Sequence, residues 1–281
     1  MDEHVMELLG KSRAVVREGK IVEVTEPKVA YCPLFRKLHG MERITKEEVV
    51  KNLRYRMENF GLFTAKRKIL DERTFATFGT SEIFFSCLKS SFLDAVVIAA
   101  DCAGTVVTSN PKLVQGLGGR ISGIVRTSPI PEVIERIEKE GGFVVSKNAE
   151  IDQIKGVLFA VDMGFKKIGV TLTTPEEAKA CAEIEKSRAV KILKFAVHTT
   201  GVDWSLEDAL LFDLITLCAS KSLRDKLRGV LKAQAGEAIP IVAISDFGKL
   251  ALLERAKDLD GILIISKPLP YLSENQPQPL V

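Results

Sequence analysis

Residues 167–177, KIGVTLTTPEE, join a short apolar strand to the start of a helix, and this unit decides the fold that the sequence predicts. The stretch 167–172 is rich in β-branched residues and almost continuously apolar, as a strand buried on both faces must be. Thr174 and Glu177 then form a capping box, and Pro175 suits a first helical turn. A strand followed at once by a capped helix is typical of a parallel sheet.

The same alternation recurs from about residue 80 onward, with further helix starts at Pro131 and Ser205. Since parallel strands need helical crossovers, we predict an α/β fold: a mainly parallel, layered open sheet with helices on both faces. A barrel would need an eighth strand, which the sequence does not offer. The other strand candidates are 95–100, 143–146, 192–198, 214–218, 239–244 and 261–265.

The first 80 residues follow a different pattern. Residues 14–24, AVVREGKIVEV, predict a β-hairpin that turns at Glu18 and Gly19, and a helix capped by Thr45 follows. We therefore expect three parts. They are a small N-terminal α+β region (1–80) packed on the main domain, a parallel α/β ligand-binding domain (81–267) and a proline-rich tail (268–281).

Residues 101–131, DCAGTVVTSNPKLVQGLGGRISGIVRTSPIP, are expected to form one long, glycine-rich binding loop. The loop is not a dinucleotide-binding fingerprint, because Ile121 takes the place of the third glycine, nor a P-loop, because Ile124 stands where a lysine is needed. Adjacent glycines beside a guanidinium and a hydroxyl can still hold a phosphate or carboxylate. A tight structural turn is the alternative interpretation. The binding residues that we predict here are Gly104, Thr105, Gly118, Gly119, Arg120 and Ser122.

Polar or reactive residues follow almost every predicted strand, at the sheet edge where ligands of parallel sheets bind. Helix capping accounts for most of them. His198, Cys218 and Asp101 are our candidate catalytic residues, although the histidine could be satisfied by a carbonyl and the cysteine could be core packing. The neighbouring binding candidates are Thr199, Thr200, Ser220 and Lys221.

Cys32, His198 and Cys218 could together bind zinc or an iron–sulfur cluster. The close-spaced cysteine pairs that mark such sites are absent from the sequence. A cysteine nucleophile with His198 as base and Asp101 or Asp246 as orienting residue is the competing arrangement. The sequence leaves both interpretations open.

Composition narrows the class of protein. The 281 residues carry 40 basic and 37 acidic side chains, a net charge of +3, and 6% aromatic residues, which disfavours nucleic-acid binding. Basic stretches such as 54–56 are expected to be solvated faces. No apolar run is long enough to span a bilayer, so no membrane association is expected. Five cysteines without a close pair predict reduced thiols in the cytoplasm.

Five segments together resemble the archaeal methanogenesis marker protein 8 family: YCPLF (31–35), GTVVTSNPKLVQGLGGRISG (104–123), TSPIPEVIERI (127–137), FAVHTTG (195–201) and CASK (218–221). The resemblance runs from the N-terminus to about residue 265. It implies a role near methyl-coenzyme M reductase, in building or activating its nickel tetrapyrrole centre or another methanogen cofactor. Here Asp101 precedes Cys102, the reverse of the family's order, which favours the aspartate. The site residues that the resemblance implies are Cys32, the 104–123 segment, His198, Thr199, Thr200, Cys218, Ser220 and Lys221.

We therefore expect a cytoplasmic protein that binds an anionic small molecule or cofactor, with proteins associated with methyl-coenzyme M reductase as partners. One alternative is an accessory protein without enzymatic activity that docks on a methanogenesis complex, which predicts no well-formed cleft. Another is a Cys/His-dependent enzyme. Whether the protein forms homo-oligomers is left open.

Overall fold

The computed structural model describes residues 2–236 and 239–261, so the predicted tail (268–281) and most of the strand predicted at 261–265 lie outside the described residues. The strands are β1 (Glu3–Glu7), β2 (Arg13–Arg17), β3 (Lys20–Val24), β4 (Ala95–Ala100), β5 (Gly104–Thr108), β6 (Gly123–Arg126), β7 (Gly142–Val144), β8 (Lys167–Leu172), β9 (Lys191–Ala196), β10 (Leu214–Thr216), β11 (Ala233–Ala235) and β12 (Ile241–Ala243). The helices are α1 (Pro33–His39), α2 (Lys46–Phe60), α3 (Thr80–Lys89), α4 (Pro111–Gly118), α5 (Pro131–Lys139), α6 (Gln153–Asp162), α7 (Pro175–Arg188), α8 (Leu206–Ala209), α9 (Lys221–Leu227) and α10 (Asp246–Ala256).

Eight strands form the larger sheet, in the order β11-β12-β10-β9-β8-β4-β5-β7. The four strands in the middle, β4, β8, β9 and β10, run parallel, and the flanking strands pair antiparallel. The α/β prediction is confirmed, with antiparallel flanks that make the sheet mixed. Thr174 and Glu177 form the predicted capping box at the start of α7.

Helices cover both faces of this sheet because successive strand residues point to opposite sides. Val96 and Ile98 pack with α3, α4, α5 and α10, whereas Val97 and Ile168 pack with α6, α7, α8 and α9. Each face has its own apolar core.

The smaller sheet is antiparallel, in the order β3-β2-β1-β6. The hairpin predicted at Glu18 and Gly19 is confirmed, and both residues have positive φ. Helix α2 packs on this sheet through Val49 and Leu53, which are fully buried. Strand β6 follows β5 in the chain but belongs to the smaller sheet, whereas β5 belongs to the larger sheet. The chain therefore passes from the larger sheet to the smaller one between these two strands.

The prediction of one long loop over 101–131 is wrong. The segment contains β5, α4 and β6. Several of its glycines permit close packing of the chain on itself: a Cβ on Gly104 would collide with the backbone of Ala149, and one on Gly116 with the backbone of Ile69. Glycine content alone could not distinguish such internal contacts from contacts with a ligand.

A buried ion pair joins the two sheets. Arg67, which follows α2, is fully buried, and its Nε lies 2.8 Å from Oδ1 of Asp101 at the end of β4. Its Nη2 donates to the carbonyls of Gly116 and Leu117 in α4, each at 3.2 Å. The other carboxylate oxygen of Asp101 accepts from the backbone N of Phe63 at 3.1 Å. The pair is thus fully hydrogen-bonded, as a buried charge pair must be.

Replacing Asp101 with Asn should leave the Arg67 guanidinium buried without its counter-charge. We expect a loss of about 3–5 kcal/mol in the free energy of unfolding, measured by urea denaturation. The control is Asp162→Asn, since Asp162 pairs with Arg188 at 3.5 Å on the surface and such pairs contribute at most about 1 kcal/mol. Equal losses in the two variants would contradict a joining role for the buried pair.

Candidate functional site

A cavity of about 1460 Å³ lies where the larger sheet faces the smaller one. One wall is formed by residues at or just beyond the carboxyl ends of β4, β8, β9 and β10. The opposite wall comes from β1, β6, α1 and α2. Small-molecule pockets typically measure about 300–1000 Å³. The space is therefore large enough for a sizeable organic ligand, at the sheet edge where α/β proteins bind theirs.

The structure brings about half of the predicted site residues to this cavity. Those that line it are Cys32, Gly118, Gly119, Arg120, Ser122, His198, Thr200 and Cys218. Those that do not are Asp101, Gly104, Thr105, Thr199, Ser220 and Lys221. Asp101 serves the ion pair with Arg67. Thr105 is buried, and its Oγ1 accepts a bond from the backbone N of Asp152 at 2.8 Å.

Thr199 and Ser220 support the wall behind Cys218. The Thr199 hydroxyl donates to the carbonyl of Thr216 and accepts from the backbone N of Cys218. Ser220 caps α9 and donates to the carbonyl of Val202 at 2.7 Å. Both hydroxyls are occupied by the protein itself, so these residues act through the position of Cys218.

His198 lies in the wall in an unusual backbone conformation. Its φ is 57°, in the left-handed region that side chains other than glycine seldom adopt. The ring packs against Gly123, where an added Cβ would lie 3.0 Å from it. About a third of the side chain, 34%, remains exposed, and Nδ1 lies 3.9 Å from Glu7. Burial lowers the pKa of His198 to about 4, so the imidazole is neutral at neutral pH.

Cys218 is also uncharged at neutral pH. Burial raises the pKa of its thiol to about 11, and the neighbouring Cys32 adds to the rise, while hydrogen bonds from Thr200 and Thr199 oppose it. A thiolate beside an imidazolium, the usual form of a reactive cysteine, is therefore not the resting state. The cavity holds both groups in neutral form.

The two sheets do not assemble a metal-binding set from these residues. Across residues 2–236 and 239–261, no three His, Cys, Asp or Glu side chains converge on one point as metal ligands would. Cys32, His198 and Cys218 all line the cavity. These three residues therefore line one cavity without forming a set of metal ligands in the described residues, and the zinc or iron–sulfur site stays a prediction.

Arg120, predicted to bind an anion, already has partners. Its guanidinium carbon lies 3.0 Å from the ring centre of Phe75 and 4.2 Å from that of Phe60. It also pairs with the Asp71 carboxylate. The charge of Arg120 is therefore neutralised by the protein, and its aromatic neighbours hold it in place.

Arg56 on α2 is the site residue that our sequence analysis misplaced. The structure turns it into the cavity, where its Nη1 donates to the Ser122 hydroxyl at 3.0 Å and to the Arg120 carbonyl at 3.4 Å. No carboxylate pairs with it among the described residues. Burial and the nearby Arg120 charge lower its pKa to about 10, which still leaves it protonated.

Arg224 on α9 is a second guanidinium that the sequence analysis missed. It lines the cavity, and its Nη2 donates to the carbonyl of Leu217 at 3.0 Å. Its buried Nε has no hydrogen-bond partner, and no described carboxylate pairs with it. Burial lowers its pKa, as expected for an uncompensated charge.

A spacing in the sequence could have indicated the α2 wall. Asn52, Tyr55 and Arg56 line the cavity and stand at i, i+3 and i+4 of the helix. They flank the apolar stripe that contains Val49 and Leu53. Asn52 is 8% exposed, and its Oδ1 has no partner in the described structure. The Asn52 carbonyl oxygen lacks a hydrogen-bond donor, and the neighbouring Arg56 guanidinium lacks a carboxylate partner in the described structure. Both point to a polar ligand.

Comparison with known proteins gives two matches. Residues 4–257 match the archaeal family described as "Uncharacterized protein conserved in archaea (DUF2099)". The chain is also 57% identical over 282 residues to "Uncharacterized protein MJ0054" of Methanocaldococcus jannaschii, with 100% of both chains covered. Within the part of the chain that the structure describes, no helix is both long and apolar enough to cross a membrane.

The neutral state of His198 predicts a pH dependence of stability. The unfolded histidine binds a proton near its ordinary pKa of 6.5, whereas the folded one does so only near 4. Between these values the unfolded state holds more protons, so stability falls as the pH falls. His198→Asn, which tolerates the positive φ, should remove this contribution.

We therefore expect the loss of unfolding free energy between pH 7 and pH 5 to be smaller in the variant by about 1 kcal/mol, allowing for solvent screening. Urea denaturation at both pH values measures it. Identical losses in the variant and the unmodified protein would show that His198 titrates normally.

Proposed function

Since this chain belongs to the archaeal family DUF2099, we propose for it a function that its cavity supports: a cytoplasmic, methanogenesis-associated protein that binds an anionic small molecule or cofactor. The relative from Methanocaldococcus jannaschii and the resemblance to methanogenesis marker protein 8 support the link to methanogenesis. The bound molecule would serve the maturation or activation of methyl-coenzyme M reductase or of its cofactor.

The observation that carries this proposal is the Arg56 guanidinium. It is half-buried, faces the cavity and has no carboxylate partner in the described structure. An uncompensated charge in such surroundings is costly, and a bound anion would remove the cost. Ser122, which already accepts from Arg56, can donate its hydroxyl proton to the same anion.

The acidic side chains of the cavity do not supply that counter-charge. Glu82 accepts bonds from the backbone N of Phe75 at 3.0 Å and from Nε2 of Gln115 at 3.1 Å. Burial raises the pKa of Glu7, which lies near His198. Glu177, the third acidic residue of the lining, accepts from the backbone N of Thr173 and Thr174 in the capping box of α7. None of the three carboxylates pairs with Arg56, so the cavity favours an anion beside this guanidinium.

The two other functions are less well supported. An accessory protein that only docks on a complex has no need of a cavity of about 1460 Å³. A Cys/His-dependent enzyme is favoured by one observation, that His198 and Cys218 line the same space. That function requires ligand binding to bring the pKa values of the two groups closer together, so that a thiolate can form. Under this second proposal, Cys218→Ser would abolish turnover and leave ligand binding intact.

Binding of two matched fluorescent probes tests the leading proposal. One is 8-anilinonaphthalene-1-sulfonate, an aromatic anion, and the other is N-phenyl-1-naphthylamine, the same framework without the sulfonate. Arg56→Gln should weaken binding of the sulfonate at least about tenfold, because a charge-assisted hydrogen bond contributes about 1.5–3 kcal/mol. Binding of the neutral probe should not change.

Arg54→Gln is the control, since Arg54 lies on the same helix and is exposed. Fluorescence titration gives the dissociation constants. The proposal fails if Arg56→Gln leaves the affinity for the sulfonate unchanged or weakens both probes equally.

A further inference from the structure

Resting on the proposed function, we infer that the ligand carries two separate acidic groups on an apolar framework, one held by Arg56 and the other by Arg224. The two guanidiniums come from opposite walls. Arg56 belongs to α2, beside the smaller sheet, and Arg224 belongs to α9, which follows β10 of the larger sheet. Both face the same cavity.

Their surroundings differ, so they form two anchoring points. Arg56 contacts the hydroxyl of Ser122 and lies near the charge of Arg120. Arg224 contacts the carbonyl of Leu217 and lies near the thiol of Cys218. The two guanidiniums lie on opposite walls of a cavity of about 1460 Å³ and donate to different segments of the chain. A single small anion would therefore satisfy one of them and leave the other uncompensated.

Arg67 and Arg120, which are buried more deeply than Arg56 and Arg224, each have a carboxylate partner. Arg67 is paired with Asp101, and Arg120 is paired with Asp71. Arg56 and Arg224 have only hydroxyl or carbonyl oxygens as partners among the described residues, and the buried Nε of Arg224 has none. Arg56 and Arg224 are half-buried on the cavity walls without carboxylate partners, so each can bind one acidic group of the ligand.

Helix α1 covers the space between the two anchors with apolar side chains. Cys32, just before the helix, neighbours Cys218, and the Phe35 ring centre lies 5.9 Å from the Arg56 guanidinium. Leu34, Phe35 and Leu38 line the cavity, yet no residue of α1 is buried. These side chains face a hollow, and an apolar framework between the acidic groups would bury them.

The ligand class is therefore an organic molecule with at least two carboxylate, phosphate or sulfonate groups separated by an apolar or aromatic body. Such a molecule would contact both walls at once. Arg56 on α2 and Arg224 on α9 would each hold one of its acidic groups.

The test compares 8-anilinonaphthalene-1-sulfonate with its dimer, 4,4′-dianilino-1,1′-binaphthyl-5,5′-disulfonate, which doubles both the aromatic unit and the sulfonate. The variants are Arg56→Gln, Arg224→Gln and the double variant. The controls are two exposed arginines: Arg54→Gln lies on α2, and Arg228→Gln lies directly after α9. Arg224→Met replaces Arg224→Gln if the latter does not fold.

We expect one disulfonate to bind per chain and each single substitution to weaken it at least about tenfold, with Arg56→Gln alone weakening the monosulfonate. The inference is overturned if Arg224→Gln leaves the affinity for the disulfonate unchanged, if two disulfonates bind per chain, or if both substitutions weaken the monosulfonate. In each of these cases Arg56→Gln still weakens the monosulfonate, so the proposed anion site survives. If Arg56→Gln leaves the affinity for the monosulfonate unchanged, the proposed function itself fails.

Discussion

The buried pair of Arg67 and Asp101 is the interaction on which the rest of the structure depends. It ties the segment after α2 to the end of β4 and, through two carbonyls, to α4. These contacts hold α2 across the carboxyl edge of the larger sheet. They thereby help to position the Arg56 wall relative to the larger sheet. Asp101, which we expected to be catalytic, is held in this ion pair and does not line the cavity.

Four arginines around the cavity fall into two groups, those with a carboxylate partner and those without one. Arg67 and Arg120 have carboxylate partners and stabilise the fold. Arg56 and Arg224 have none in the described residues and face a large cavity. Because a half-buried charge without a counter-charge is costly, we propose that a ligand compensates these two guanidiniums. His198 and Cys218 stay neutral in the same space, so they add hydrogen-bonding and nucleophilic groups without adding charge.

Local patterns predicted the α/β fold, the N-terminal hairpin and the helix caps, because strand burial and capping are encoded within a few residues. They could not predict that residues 101–131 fold into β5, α4 and β6, since glycines that pack on the chain look like glycines that approach a ligand. Arg120, Ser122, His198 and Cys218, predicted from their place after strands or in the glycine-rich segment, line the cavity. Arg56 was missed because only the tertiary contact with Ser122 distinguishes it from a solvated arginine.

The most direct measurement is native mass spectrometry of the protein purified anaerobically from its natural host, alongside the Arg56→Gln variant expressed in the same cells. Our account predicts a non-covalent complex with one anionic organic molecule, which the variant loses or holds in a much smaller fraction. A bound molecule that the variant retains to the same extent as the unmodified protein would contradict it.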